Sequence, residues 1–360
     1  MRMSSLFEPL TFKRGPAMKN RFMLAPLTNS QSHEDGKLSD AEFHWLKMRA
    51  EGGFGLTMTC AAHVQAVGQG FPGQLGIFSD DHLDGLSKLA SALRDAGSLS
   101  SVQLHHAGMR SPADLIGTTP VCPSVNEEFG ARALTTEEVE QVIEDFIVAA
   151  VRADQAGFDG VELHGAHGYI LCQFLSSETN RREDRFGGSF ENRARPINEI
   201  IQGIRARCRK DFQLGLRLSP ERFGIDLGEM RDFAAELMRA GDLDYLDMSL
   251  WDVFKEPKDE AFKGKRLIDL FTDIDRHGVR LGVAGKVARP ADALACLDAG
   301  VDFVLLGRAA ILHHDFPKRM TADAAFAPAA LPVTREHLAT EGLSEVFIDY
   351  MSKWPGFVAD

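Results

Sequence analysis

The chain has 360 residues, with 40 basic against 52 acidic side chains and a formal net charge of −12. That length exceeds the usual single core of roughly 100–200 residues, leaving two domains or one large barrel or layered fold. Hydrophobic residues at 44% and charged residues at 26% exclude a disordered chain, a collagen and a disulfide mini-scaffold. The acidic balance argues against a nucleic-acid partner, which needs a basic face.

No apolar run approaches the ~18 residues of a membrane span. Met1–Pro9 lacks the apolar stretch of a signal peptide. Cys60, Cys122, Cys172, Cys208 and Cys296 are scattered and form no C-x-x-C pair. A reduced, cytoplasmic protein with no membrane partner and no zinc or iron–sulfur site is the expectation.

Taken in chain order, Arg21–Leu27 reads as a strand. Ser39–Glu51 reads as a helix opened by a capping box, Ser39-x-x-Glu42. Gly55–Thr59 is a short apolar strand, Asp80–Ala96 a helix with a leucine stripe, and Leu99–His105 the next strand. From Thr136 a helix is capped by Thr135-x-x-Glu138, with Val139, Val142, Ile143, Phe146 and Ile147 at spacings of three and four. Strands follow at Phe158–Leu163, Phe212–Leu218, Leu243–Met248, Val279–Ala284 and Val301–Leu306. Helices are expected at about Ile197–Arg209, Met230–Arg239, Gly264–Arg276 and Pro290–Ala299.

About eight β-then-α units in strict alternation imply an α/β protein built on a parallel sheet, and eight fit a (β/α)8 TIM barrel. Such a barrel needs ~250 residues, which leaves a surplus of roughly 110. The surplus falls in an N-terminal extension (1–20) capping the barrel, a Gly/Pro-bearing loop Met109–Leu134, a charged insert Glu178–Arg195 and a C-terminal tail (319–360). The Ala/Pro-rich Thr321–Pro332 in that tail reads as a linker. The barrel itself is assigned to 21–318. A doubly wound sheet ranks lower, because no G-x-G-x-x-G follows the first strand.

Barrel chemistry sits at the carboxyl ends of strands. The fourth strand ends in Glu162-Leu163-His164-Gly165-Ala166-His167-Gly168-Tyr169. Two imidazoles three apart can each donate an N–H to one oxygen, an arrangement suited to a carbonyl or nitro group gaining charge. The Tyr169 phenol can supply a proton nearby. From spacing alone a surface or metal role for the pair stays open. Glu162 is placed on the opposite face of the strand, and a metal needs further ligands.

Gly285-Lys286 and Gly307-Arg308 end the last two strands, where barrels often hold phosphate. Glycine lets backbone N–H groups approach and Arg308 adds charge. Arg217, alone among leucines, needs an electron-rich partner. With Gln103 it could meet the polar edge of a planar ring such as a flavin pyrimidine, or it could sit in an internal network with Glu162.

Four stretches now carry a resemblance. They are Lys19–Phe22 with Ala25–Thr28; Gln103-Leu104 with His106-Ala107-Gly108; Gly160–Tyr169 with Ser176-Ser177, Asn180–Arg182 and Asp184–Ser189; and Gly307-Arg308. The chain resembles the old yellow enzyme family of FMN-dependent ene-reductases from about Phe7 to Phe316. Met109 stands where that family usually has Arg.

The resemblance implies a barrel holding FMN non-covalently, with NAD(P)H as co-substrate and an activated alkene as the small-molecule partner. Ala25, Pro26, Leu27 and Thr28 would line the ring, and Ala61 would contact it by its backbone. Gln103 and Arg217 would meet the pyrimidine, while Gly285, Lys286, Gly307 and Arg308 would hold the phosphate. His164 and His167 would bind the substrate oxygen and Tyr169 would protonate carbon. A tail residue, Trp354, would close the substrate pocket, in a homo-oligomer. The competing reading is a metal-dependent TIM-barrel hydrolase using the His164/His167 pair.

Overall fold

The alternation of short apolar strands and amphipathic helices resolves into a closed barrel of eight parallel strands. The computed structural model describes residues 3–323 and 325–359. In chain order the elements are β1 (Phe22–Leu24), α1 (Asp40–Glu51), β2 (Leu56–His63), α2 (Leu83–Asp95), β3 (Leu99–His105), α3 (Thr136–Gln155), β4 (Gly160–Gly165) and α4 (Phe190–Arg207). They continue with β5 (Gln213–Leu218), α5 (Leu227–Ala240), β6 (Tyr245–Ser249), α6 (Asp269–Thr272), β7 (Arg280–Ala284), α7 (Pro290–Asp298), β8 (Phe303–Leu306) and α8 (Arg308–Leu312). Closure is made by β8 against β1, with Phe22 opposite Val304 and Leu24 opposite Leu306.

Local chemistry explains the helix starts. The Thr135 hydroxyl accepts from the Glu138 N–H at 3.2 Å, and the Glu138 carboxylate accepts from the Thr135 N–H at 2.8 Å. Both halves of the expected capping box are therefore made at α3. At α1 only one half is made. Ser39 accepts from the Glu42 N–H at 3.1 Å, but the Glu42 carboxyl turns inward to Asn29 Nδ2 at 3.1 Å and to the Ser32 hydroxyl. Glu42 thus ties the loop after β1 to α1 instead of capping the helix.

The amino end of the barrel is closed by residues 10–18. Leu10 and Met18 form an antiparallel bridge and join an apolar cluster with Met23, Leu56, Met58, Phe303 and Leu305 inside the barrel. Gln213 Nε2 donates to the carbonyls of Arg14 at 3.0 Å and Pro16 at 2.8 Å, which locks this plug in place.

Three expectations change. Helix α4 starts at Phe190, inside what reads as a charged insert. Ser189 caps it, and its charged residues have partners, Arg193 donating to Leu175 O and Gly188 O, each at 2.9 Å. The helix expected over Gly264–Arg276 shrinks to the single turn of α6. The supposed linker is packed, apart from residue 324, which lies outside the described residues. Phe326 meets His313 edge-on at 5.2 Å, and the Ala329 N–H donates to His313 Nε2 at 2.9 Å. Helices follow at Arg335–Thr340 and Glu345–Ser352. Among the described residues no helix is long and apolar enough to cross a membrane.

Candidate active site at the barrel mouth

Strand register brings the polar residues together. His164 lies opposite Arg217, Arg217 opposite Asp247, and Gln103 opposite Glu162. Glu162 does not face away from His164, as the sequence reading has it. Residues two apart on a strand share a face, and Glu162 is fully buried inside the barrel, accepting from Gln103 Nε2 at 2.8 Å.

The loop after β4 makes a tight left-handed turn, with φ of +60° at His167 and +73° at Gly168. A non-glycine residue held there is strained. The turn returns the His167 ring to 5.0 Å from that of His164, the two planes at 84°. Tyr169 follows, 5.0 Å from His164 and 4.4 Å from His105. Arg110, one residue beyond Met109, donates to the His167 carbonyl at 2.6 Å and lies 4.8 Å over the Tyr169 ring.

Burial pushes both histidines well below the usual imidazole range. His167 and His105 add to the effect on His164, and Arg217 and Arg110 to that on His167. Both rings are therefore neutral, and each carries one N–H. One nitrogen of each is committed: the Ala166 N–H donates to His164 Nδ1 at 3.3 Å, and His167 Nε2 meets Ser249 Oγ at 2.7 Å. His164 Nε2 and His167 Nδ1 have no protein partner among the described residues, and each keeps some exposure to solvent. Burial raises the Tyr169 pKa while Arg110 works against that rise, so the phenol stays protonated.

The cation predicted at Arg217 has its counter-ion in Asp247, with Nε 2.8 Å from Oδ2. The Nε–H is not aimed at that oxygen, so this is an ion pair without a directed hydrogen bond. Burial raises the pKa of both Glu162 and Asp247, and Arg217 opposes the rise in each. Gln103 Oε1 and Arg217 Nη1 remain unpaired among the described residues. An acceptor beside a cationic donor fits an isoalloxazine pyrimidine, which offers an N–H and carbonyl oxygens.

The phosphate-end residues also converge. A Cβ on Gly307 would lie 3.3 Å from Leu27 and 4.0 Å from Ala25, so the stretch expected along the ring adjoins the glycine opening α8. Arg308 is exposed and has no carboxylate partner among the described residues, as a phosphate anchor requires. Gly285, at φ +148°, must be glycine, because a Cβ would come 2.8 Å from the Trp251 carbonyl carbon. These features fit FMN. Lys286 is instead committed to Asp252 at 3.0 Å. The Ala61 carbonyl accepts from Gln74 Nε2 at 2.8 Å.

Trp354 is not brought to the histidines; its ring contacts are Tyr350 at 6.3 Å and Phe357 at 6.2 Å. Tyr350 is the tail residue whose charge would raise the Tyr169 pKa. Sequence reasoning missed Asp247, Ser249 and Arg110. The first two share their parity with Tyr245 on β6, and a buried Arg217 in search of a partner was the available signal.

Residues 5–325 match the model of the NADH:flavin oxidoreductase / NADH oxidase family. The chain belongs to this family. It is 39% identical over 313 residues to a probable NADH-dependent flavin oxidoreductase of Bacillus subtilis, covering 84% of each chain. To an NADPH dehydrogenase of Bacillus cytotoxicus it is 31% identical over 333 residues, 90% of this chain and 94% of that one. Some relatives are longer, and the chain spans 36% of an NADH:fumarate oxidoreductase of Klebsiella pneumoniae.

Among solved structures, an old yellow enzyme homologue from Zymomonas mobilis superposes with a TM-score of 0.81 at 28% identity, covering 95% of this chain and 99% of that one. Morphinone reductase in complex with tetrahydroNAD gives 0.80 at 28% identity, covering 95% and 97%. This member of the NADH:flavin oxidoreductase / NADH oxidase family is therefore an FMN-dependent NAD(P)H oxidoreductase of the old yellow enzyme type. Among the described residues His164 and His167 belong to no group of three side chains placed to hold an ion, as the hydrolase alternative needs. Among the described residues the groups able to hold an ion are His313–His337–Glu341 and His314–Asp315–Glu341, beyond β8.

Proposed function

We propose that the acceptor is an alkene activated by a carbonyl or nitro group, its oxygen held by His164 and His167 and its carbon protonated by Tyr169. The observation that carries this reading is the pair of neutral imidazoles 5.0 Å apart, each with one nitrogen committed and the other unpaired. When bound, FMN would supply the hydride-transfer chemistry between NAD(P)H and the alkene.

The protein does the rest. His164 and His167 donate two preorganised N–H groups to an oxygen that gains charge, in a water-poor site where such donors act most strongly. Tyr169 holds its proton until carbon takes it, and the Arg110 guanidinium over its ring eases the loss. Arg217, anchored by Asp247, offers positive charge at the pyrimidine edge beside Gln103. Ala25, Pro26, Leu27 and Thr28 line the ring, with the Ala61 backbone beside it. Gly285, Gly307 and Arg308 receive the phosphate, while Lys286 stays with Asp252. Tyr350 forms the tail side of the substrate space.

The test is cyclohexenone-dependent NAD(P)H oxidation. His164→Ala and His167→Ala should each lower turnover by about 10²–10³. Unchanged turnover in both variants would remove the assignment.

A further inference from the structure

We infer that Ser249 fixes the tautomer of His167, and so decides which ring nitrogen grips the acceptor. The inference rests on the reading of His167 as a donor to the acceptor's oxygen. Ser249 closes β6 and is buried, with the parity of Asp247. Among the described residues its hydroxyl has two partners: Arg217 Nη2 at 3.4 Å and His167 Nε2 at 2.7 Å.

Donor counting settles the first of these bonds, and the need of the Ser249 proton for an acceptor assigns the second. A guanidinium only donates, so the Ser249 oxygen accepts from Arg217. Its second lone pair leaves it free to accept or donate at His167, but among the described residues Nε2 is the one acceptor within reach of its proton, and a donated bond there satisfies both groups. Ser249 therefore donates to Nε2, which keeps its lone pair, and the single proton of the neutral ring sits on Nδ1. Nδ1 is the nitrogen without a partner among the described residues.

His164 is set the opposite way. The Ala166 N–H donates to its Nδ1 at 3.3 Å, so its proton is on Nε2. The two histidines present different nitrogens, which lets rings crossed at 84° converge on one atom. Arg217 is itself held by Asp247, so a chain Asp247–Arg217–Ser249–His167 ties the acceptor-binding ring to the cation on the flavin side. Ser249 is a positioning residue in this scheme. Without its hydroxyl, Nε2 loses the donor that kept it bare, and the proton is free to move there.

The test is ¹⁵N NMR of the holoenzyme labelled at histidine, with His167→Ala used to assign the signal, alongside phenol titration. Wild type should show a protonated Nδ1 and a bare Nε2 on His167. Ser249→Ala should shift the ring toward protonated Nε2 and weaken phenol binding about five- to tenfold, the loss of one donor. Ser249→Thr, which keeps the hydroxyl, should restore both. A protonated Nε2 in the wild type overturns the inference with no variant needed. An unmoved tautomer in Ser249→Ala overturns it while leaving the functional reading intact. A moved tautomer with unchanged phenol affinity overturns the functional reading, and the positioning role falls with it.

Discussion

The two sides of the barrel interior are built differently. Strands β7, β8, β1 and β2 line it with Ala284, Phe303, Leu305, Met23, Ala25, Leu56 and Met58. Strands β3 to β6 line it with Gln103, Glu162, His164, Arg217, Asp247 and Ser249, all buried. The apolar side gains from burial alone. The polar side carries a cost, because buried charges need partners and satisfying them is incomplete here. Among the described residues Glu162 Oε2, the Tyr245 hydroxyl and both Asp247 oxygens lack a directed hydrogen bond. One side holds the molecule together while the other is kept polar for its chemistry.

The largest expected effect breaks the polar side. Asp247→Leu strands Arg217 without its counter-ion and should lower unfolding free energy by about 3–5 kcal/mol. Adding Arg217→Leu should recover much of that loss in urea melts while weakening FMN binding. A single variant as stable as wild type would contradict the division. Next comes the apolar side, where Met23→Ala should cost about 2–5 kcal/mol through the cavity it leaves. The acceptor KM should stay within about twofold, since ~0.4 kcal/mol is all that a factor of two represents; a large KM change would show that this side also does chemistry.

A smaller effect sharpens the contrast between histidines. His106, one residue past β3, has both nitrogens occupied: Nδ1 accepts from the Gly108 N–H at 2.9 Å, and Nε2 meets Gln65 Oε1 at 3.0 Å. Burial lowers its pKa to about 3 from an ordinary value of 6.5. Below pH 6.5 the unfolded chain binds a proton that the folded chain refuses, so stability falls as pH drops toward 3. Between pH 7.5 and 5 this one group should remove about 2 kcal/mol. His106→Gln, whatever its absolute stability, should lose that much less over the same interval; an unchanged pH slope would refute the structural role.

The barrel was legible because its strands are short, apolar and separated by capped helices, and β3 matched at both ends. Helix α4 was shortened in the reading because Glu191, Arg193 and Arg195 look like a solvated insert, when Arg193 is buried through contacts distant in sequence. The histidines, Tyr169, Gln103 and Arg217 were legible as polar groups at strand ends. Asp247 and Ser249 were not. The expected strand stopped at Met248, so Ser249 fell outside it, and an aspartate between Leu246 and Met248 gives no local sign of facing an arginine on the next strand. Such pairing is a property of register, which only the closed barrel supplies.

The most direct test of the central claim is the absorption spectrum of the purified protein, followed through a phenol titration in wild type, His164→Ala and His167→Ala. The account expects a yellow protein, a long-wavelength band that grows as phenol binds over the flavin, and clearly weaker phenol binding in both variants. A colourless protein that does not take up FMN, or phenol affinity undiminished in both variants, would contradict it.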